Sequence, residues 1–391
     1  MKDTASRPST QAKRVAFVSG VAHTLLASRS ALIRALVARN CPVLCVAPEF
    51  SPEQEAKLAF LGAETATFEL VPKGPALFAD WRISRALAEM LSAWKPDVAI
   101  GMTERVMALT LVAARRARVG RRIALLNGFA PRELDLAKGD DLLRASPRLL
   151  AKSLKSAHTA LFHNRDDLRS LQREALLPAG LETRIVPGAG VDFAAFAAMP
   201  LPPISDGLVF LMIASLDEAR GVLDYCKAAA RIAARAPHAR FLLAGPSGSG
   251  ATGLKPEALR PYGEVVKFLG PLADVAPVLG SCHVFVYPSH REGMPRAVLE
   301  ALACGRPVIT TSAPGCRDTV DDCVNGCLVS PGDVSALEDA MTSLLKRPDL
   351  LASMARASRI KAERHFDERV VLATWLGILG LEQAAQAGSR A

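Results

Sequence analysis

Residues 284–311 read VFVYPSHREGMPRAVLEALACGRPVITT. An apolar run from Val284 to Tyr287 stops at Pro288, a polar loop follows, Pro295 opens an amphipathic segment, and a second apolar run from Pro307 to Thr310 closes the unit. The pattern predicts strand, loop, helix, strand. Pro295 is expected at the first helical position, where a residue with no N–H and a helix-like φ fits. The loop then delivers Glu292, Gly293 and Met294 to a helix N-terminus, whose unpaired N–H groups and positive dipole end suit an anion such as a phosphate. Gly293 has no Cβ to obstruct close approach. Glu292 in the loop and Glu300 in the helix would repel a phosphate but accept hydrogen bonds from neutral hydroxyls. A ligand with hydroxyls on both sides of a phosphate is a nucleotide sugar. The plainer alternative pairs Glu300 with Arg296 one turn back and leaves Glu292 in a solvated loop.

Taken together, Ser289, Arg291, Glu292, Gly293, Pro295, Leu299, Glu300, Ala301, Cys304, Gly305, Pro307 and Val308 resemble the donor-binding signature of glycosyltransferase family 4, a family of retaining enzymes. The resemblance implies the α/β GT-B fold: two Rossmann-like parallel-sheet domains facing each other across a cleft. It spans about residues 13–380, close over 284–332 and looser before 200. The segments Ser19-Gly20-Val21-Ala22, Leu32 to Arg39 and Ala47-Pro48 are similar to the branch that extends polyprenyl-diphosphate-linked sugars. Met102 to Met107 and Asn127 to Leu136, near the expected acceptor site, depart from that branch.

By the same resemblance, Glu292 binds donor-sugar hydroxyls, Glu300 the ribose hydroxyls, and Gly20 with the following amides closes the donor pocket from the other domain. Arg220 and the start of the helix, with Gly293, Met294 and Pro295, would neutralise the diphosphate without a metal; Glu292 and Arg220 are the catalytic candidates. The family usually has a second cation where this chain has Ser215. A hydroxyl there gives a neutral hydrogen bond, about half as strong as a charge-assisted one. No Asp-x-Asp metal motif occurs, and no protein nucleophile is nominated, since positioning and leaving-group stabilisation carry most of such a reaction. His23, read as the only histidine near the cleft, and Thr103 fall on the acceptor side.

The chain has 391 residues, half of them hydrophobic, enough for two domain-sized cores. Its eight cysteines show no C-x-x-C or zinc-ribbon spacing, which favours reduced, buried thiols. No secretory signal and no apolar run of the roughly 20 residues that span a bilayer is found. The net charge of +9 is uneven: residues 1–190 have 28 Lys+Arg against 18 Asp+Glu, residues 191–391 have 20 against 21. Such a basic half suggests anionic lipid or phosphorylated partners. Nucleic acid is disfavoured, because recognition motifs are absent and only three Tyr and three Trp are available for stacking.

From the start, a strand over 13–18 and a helix from about Ser30 to Asn40 are expected. Next come a strand at 43–47, a helix near 51–62, a strand near 65–70, a helix near 80–93, a strand at 97–101, a helix near 104–117 and a strand at 122–126. Alternation of this kind implies a parallel sheet with ligands beyond the carboxyl ends of the strands, where Gly20 and Thr103 are placed. The lone Gly20 is no G-x-G-x-x-G, which argues against a dinucleotide enzyme. Residues 139–156 interleave leucines with Arg144, Arg148, Lys152 and Lys155, and Pro147 interrupts the run, so one broken helix or two short ones are expected. The segment fits either an anionic membrane surface, which the neighbouring arginines Arg115 to Arg122 favour, or a helix packing its leucines into its own domain. Glycine-rich residues 245–255 approach a P-loop but lack its Gly-Lys-Ser/Thr.

The expected organisation is a disordered tail at 1–12, an acceptor-side domain at 13–190, and a Pro-rich linker at 191–207. A nucleotide-sugar domain at 208–367 follows, then a helix at 368–391 crossing back to the first domain. The function implied is metal-independent hexosyl transfer from a UDP-sugar to a lipid-linked saccharide in surface-polysaccharide synthesis. It would need no cofactor and would act in the cytoplasm on the inner face of the plasma membrane. The alternatives are an impaired GT-B protein serving as a binding or scaffolding subunit and a nucleotide-sugar epimerase of the same fold.

Overall fold

The computed structural model describes residues 12–71, 78–126, 128, 145–248 and 253–382. The expected tail at 1–12 falls almost wholly outside them, as do Arg144, most of the Asn127 to Leu136 segment and the end of the last helix. Two compact units emerge from the contacts. The first comprises Met1–Leu125, Leu142–Leu161 and Ala175–Arg184, and the second comprises Leu126–Asp141, Phe162–Glu174 and Ile185–Ala391.

A seven-stranded parallel sheet is formed by β1 (Val15–Val18), β2 (Val43–Ala47), β3 (Glu64–Thr67), β4 (Val98–Gly101), β5 (Arg121–Leu126), β6 (Thr159–Phe162) and β7 (Glu182–Ile185) in the order β3-β2-β1-β4-β5-β6-β7. In register, Val15 lies between Val43 and Val98. Strands β1, β2, β4 and β6 are buried throughout and β5 over its last four residues, whereas edge strands β3 and β7 have only half-buried and exposed residues. Helices covering both faces produce this pattern, and polar edges resist strand addition. The crossovers are α1 (Ala22–Val37), α2 (Pro52–Phe60), α3 (Ala79–Trp94), α4 (Glu104–Arg116), α5 (Pro147–Leu154) and α6 (Arg165–Arg173).

One helix boundary corrects the sequence reading. Helix α1 starts at Ala22, directly after the Ser19-Gly20-Val21 turn and with no side-chain cap, so the absence of a capping signal hid its first two turns. Pro147 is the first residue of α5, behind a Ser146 cap that accepts from Leu149 N–H at 3.2 Å, and the part of the expected helical stretch at 139–144 lies outside the described residues.

The second sheet, also parallel, contains β8 (Val209–Ile213), β9 (Arg240–Ala244), β10 (Val266–Gly270), β11 (Val284–Tyr287), β12 (Val308–Thr311) and β13 (Gly326–Val329) in the order β10-β9-β8-β11-β12-β13. Around it lie α7 (Val222–Ala233), α8 (Pro256–Leu259), α9 (Ala276–Gly280), α10 (Arg296–Ala303), α11 (Val334–Lys346) and α12 (Leu351–His365), and α13 (Glu368–Leu379) follows in the chain. Its core includes Phe210, Phe241, Phe285, Val298, Leu299 and Met341. The buried Tyr225 hydroxyl bridges the carbonyls of Phe210 and Leu242 at 3.1 Å each. Strand order reverses between β8 and β11, and loops leaving two such strands diverge and open a crevice at their carboxyl ends.

Candidate functional site

Two loops meet at that reversal. One follows β8 and folds Glu218–Arg220 into a single 3-10 turn closed by Gly221, whose φ is +73°. A Cβ on Gly221 would lie 2.1 Å from the carbonyl oxygen of Pro288, so only glycine lets the two loops approach this closely. The other follows β11 and reaches α10. Thr310 and Thr311 of β12 anchor it, donating to the carbonyls of Tyr287 at 2.7 Å and Ser289 at 2.5 Å. Pro295 caps α10 instead of occupying its first turn, which begins at Arg296; its ψ of 105° is extended.

Between the loops, the Glu292 carboxylate is ion-paired with Arg220. It also accepts from the hydroxyls of Tyr287 and Ser289, each at 3.0 Å, while Arg220 Nη1 donates to the Tyr287 oxygen at 3.2 Å. The Glu292 side chain is 10% exposed and that of Arg220 36%. The solvated-loop reading of Glu292 is therefore wrong: strand β11 and the turn after β8 enclose the carboxylate. Burial pushes the Tyr287 hydroxyl above its usual range despite the nearby Arg220 cation, which keeps it a neutral donor.

Glu300 is buried on α10 and bonded to Arg296 Nε at 2.7 Å, so the one-turn ion pair is present. Desolvation raises its carboxyl above the ordinary value, and Arg296 offsets part of that rise. Ser215 donates to Asp217 Oδ2 at 2.5 Å. The Ser215 hydroxyl is thus committed to a neighbouring carboxylate, and Asp217 Oδ1 is buried with no partner among the described residues.

Tyr287, Asp217 and a His290–Asp224 pair (2.7 Å) carried no site signal in the sequence. His23 is accordingly not the only histidine to consider: His290 adjoins the Glu292 loop and donates its backbone N–H to Ala219 O at 3.0 Å. Alternation of strand and loop does not reveal which side chains meet across the sheet. Gly293 and Met294 lie in the loop between β11 and Pro295. Glu292 N–H donates to Pro314 O at 3.1 Å, and Gly315 at φ +76° lies against the carbonyls of Glu292 and Gly293.

In the first unit, Gly20 N–H donates to Thr103 Oγ1 at 3.2 Å, and the Ser19 hydroxyl contacts those of Thr24 (2.7 Å) and Thr103 (3.3 Å). This hydroxyl cluster lies at the carboxyl ends of β1 and β4, the point where that sheet reverses. Thr103 holds φ +64°, uncommon for a β-branched residue. His23 is exposed on the first turn of α1. On α5, Leu150 and Leu154 are buried, Leu149 packs against the first unit's core, and Arg148, Lys152 and Lys155 are exposed. Among the described residues no helix is long and apolar enough to cross a membrane, and no group of three or more His, Cys, Asp or Glu is placed to hold a metal. All eight cysteines are free; six are buried, Cys327 is half-buried and Cys323 is exposed.

The two parallel sheets and the loops at their reversals define a GT-B glycosyltransferase architecture. Residues 207–347 match the family described as Glycosyl transferases group 1, a stretch that takes in the whole second sheet. Over 375 residues the chain is 24% identical to an N,N'-diacetylbacillosaminyl-diphospho-undecaprenol alpha-1,3-N-acetylgalactosaminyltransferase of Campylobacter jejuni, covering 93% of this chain and 97% of that one. It is 30% identical over 272 residues to a D-inositol 3-phosphate glycosyltransferase of Geodermatophilus obscurus, covering 64% and 57%. Its fold is similar to that of Anabaena Alr3699/HepE in complex with UDP and glucose, with a TM-score of 0.75, 16% identity, and coverage of 94% and 99%.

Proposed function

We propose that the protein is a retaining glycosyltransferase that moves a hexosyl group from a UDP-sugar to a lipid-linked saccharide in surface-polysaccharide synthesis. It needs no metal or other cofactor and works on the cytoplasmic face of the plasma membrane. The observation that carries this reading is the pairing of Arg220 with Glu292 at the reversal of the second sheet. A cation for a diphosphate and an acceptor for sugar hydroxyls stand side by side, as a nucleotide sugar requires. Arg220 stabilises the leaving diphosphate, Glu292 orients the donor sugar, Glu300 accepts the ribose hydroxyls, and Gly20 lies on the donor side of the first unit. The UDP bound by the Anabaena protein and the undecaprenyl-diphosphate in the Campylobacter relative's name support the choice of donor and acceptor.

A thermal-shift panel of UDP, GDP, ADP and UDP-sugars on the wild type and Glu292→Ala tests the donor site. UDP is expected to stabilise both proteins, and a UDP-sugar to add a further shift only in the wild type. Absence of any nucleotide shift would reject the reading. It would favour a binding or scaffolding subunit without transfer activity, a second reading motivated by Ser215, whose hydroxyl is bonded to Asp217. Release of labelled sugar into a lipid fraction then separates transfer from binding alone.

A further inference from the structure

Side-chain partners alone do not fix Glu292; its backbone is held from behind by the turn entering α6. Residues 162–174 belong to the second unit by their contacts. Asn164 caps α6, with Oδ1 accepting from Asp167 N–H at 2.8 Å, and its Nδ2 donates to Gly293 O at 2.8 Å. Asp167 has no exposed surface, yet both its oxygens are engaged. Oδ1 accepts from Arg291 Nη2 at 2.5 Å, and Oδ2 from Asn164 Nδ2 at 3.0 Å and Gly128 N–H at 3.1 Å. Gly128, at φ +77°, lies beside the same loop, where a Cβ on it would be in ordinary contact, 3.4 Å, with Gly293 N.

A capped helix has no need of a second carboxylate turned inward at complete burial, where its charge is costly unless paired. The cation that pairs with it comes from the residue directly before Glu292. Arg291 Nε is buried without a partner among the described residues, so the carboxylate of Asp167 is the principal anchor of that guanidinium. The bonds therefore bracket Glu292, reaching the side chain before it and the carbonyl after it. We infer that Asp167 is a positioning residue for the Glu292 carboxylate, acting through Arg291 and Asn164. Its consequence for the donor rests on the role proposed above for Glu292.

The test uses the full chain, with hydrogen exchange followed by mass spectrometry on the free protein. In Asp167→Asn, which keeps the side-chain shape and removes the charge, amides over 289–294 should exchange about tenfold faster while those of β8 and β11 stay as in the wild type. The same variant should retain the UDP thermal shift and lose the extra shift given by a UDP-sugar. Arg291→Ala should reproduce that loss, and the double variant should lose no more than either single one. Unchanged loop exchange, or a rise spread evenly over α6 and the sheet, would overturn the assignment. If the wild type itself shows no extra shift with any UDP-sugar, the donor role fails, and the exchange result alone decides the role of Asp167.

Discussion

Glu300 sits where little water reaches it, and desolvation raises its carboxyl while the cation of Arg296 offsets part of that rise. Because its folded pKa lies above the unfolded value near 4.5, the folded state binds the extra proton. The resulting stabilisation is complete below that value and is lost as pH rises through the folded pKa. Glu300→Gln has no such dependence. Urea unfolding between pH 4 and 7 should therefore show the variant gaining on the wild type as pH rises, and parallel curves would contradict this. Glu292 and Glu300 were legible in the sequence because a short span between two prolines ties them to one loop and one helix. Asp167 was not: its partner Arg291 is 124 residues away, and a helix-capping sequence accounts for a local Asn-x-x-Asp without invoking the distant loop. The commitment of Ser215 to Asp217 was equally hidden, although only two residues separate them, because it depends on rotamers and not on spacing.

The strand–loop–helix–strand unit was read correctly as a sequence of elements because apolar runs and a proline boundary are local signals. The rigidity of its loop was not legible, since it comes from Pro314 and Gly315 beyond β12 and from α6. Gly315 makes this testable. Its φ of +76° is unfavourable to other residues, and a Cβ would lie 2.3 Å from Glu292 O and 2.6 Å from Gly293 O. Gly315→Ala should cost about 1–3 kcal/mol in unfolding free energy. It should also reduce the extra thermal shift of a UDP-sugar more than the shift of UDP, because it displaces the carbonyls flanking the Glu292 side chain. Equal losses for both ligands would mean that the loop backbone does not orient the sugar.

At the scale of the whole molecule, the positive charge is concentrated in the first 190 residues. On α5 the leucines turn inward and the cations outward, the arrangement expected of a helix packed into its own domain. Any attraction of α5 to a membrane must then be electrostatic and not a matter of apolar insertion. Sedimentation with anionic vesicles should fall as salt rises, and should weaken by roughly 1 kcal/mol for each of Arg148, Lys152 and Lys155 replaced by Gln. Equal sedimentation with neutral vesicles would remove the membrane from the proposal. Composition made the charge asymmetry visible at once, whereas the direction of the α5 leucines required the packing of α5 against α4.

The Arg220–Glu292 pair has a thermodynamic consequence under the proposed donor role. An anion reaching Arg220 does not enter an empty positive site; it displaces an internal counterion and leaves a nearly dry carboxylate to be satisfied. Binding is then an exchange reaction with two coupled terms. Inorganic pyrophosphate supplies only the first, because it brings no hydroxyl donors for Glu292. A sugar diphosphate supplies both, so the pair makes occupancy conditional on the complete ligand and discriminates against the far more abundant simple phosphates of a cell without any steric gate.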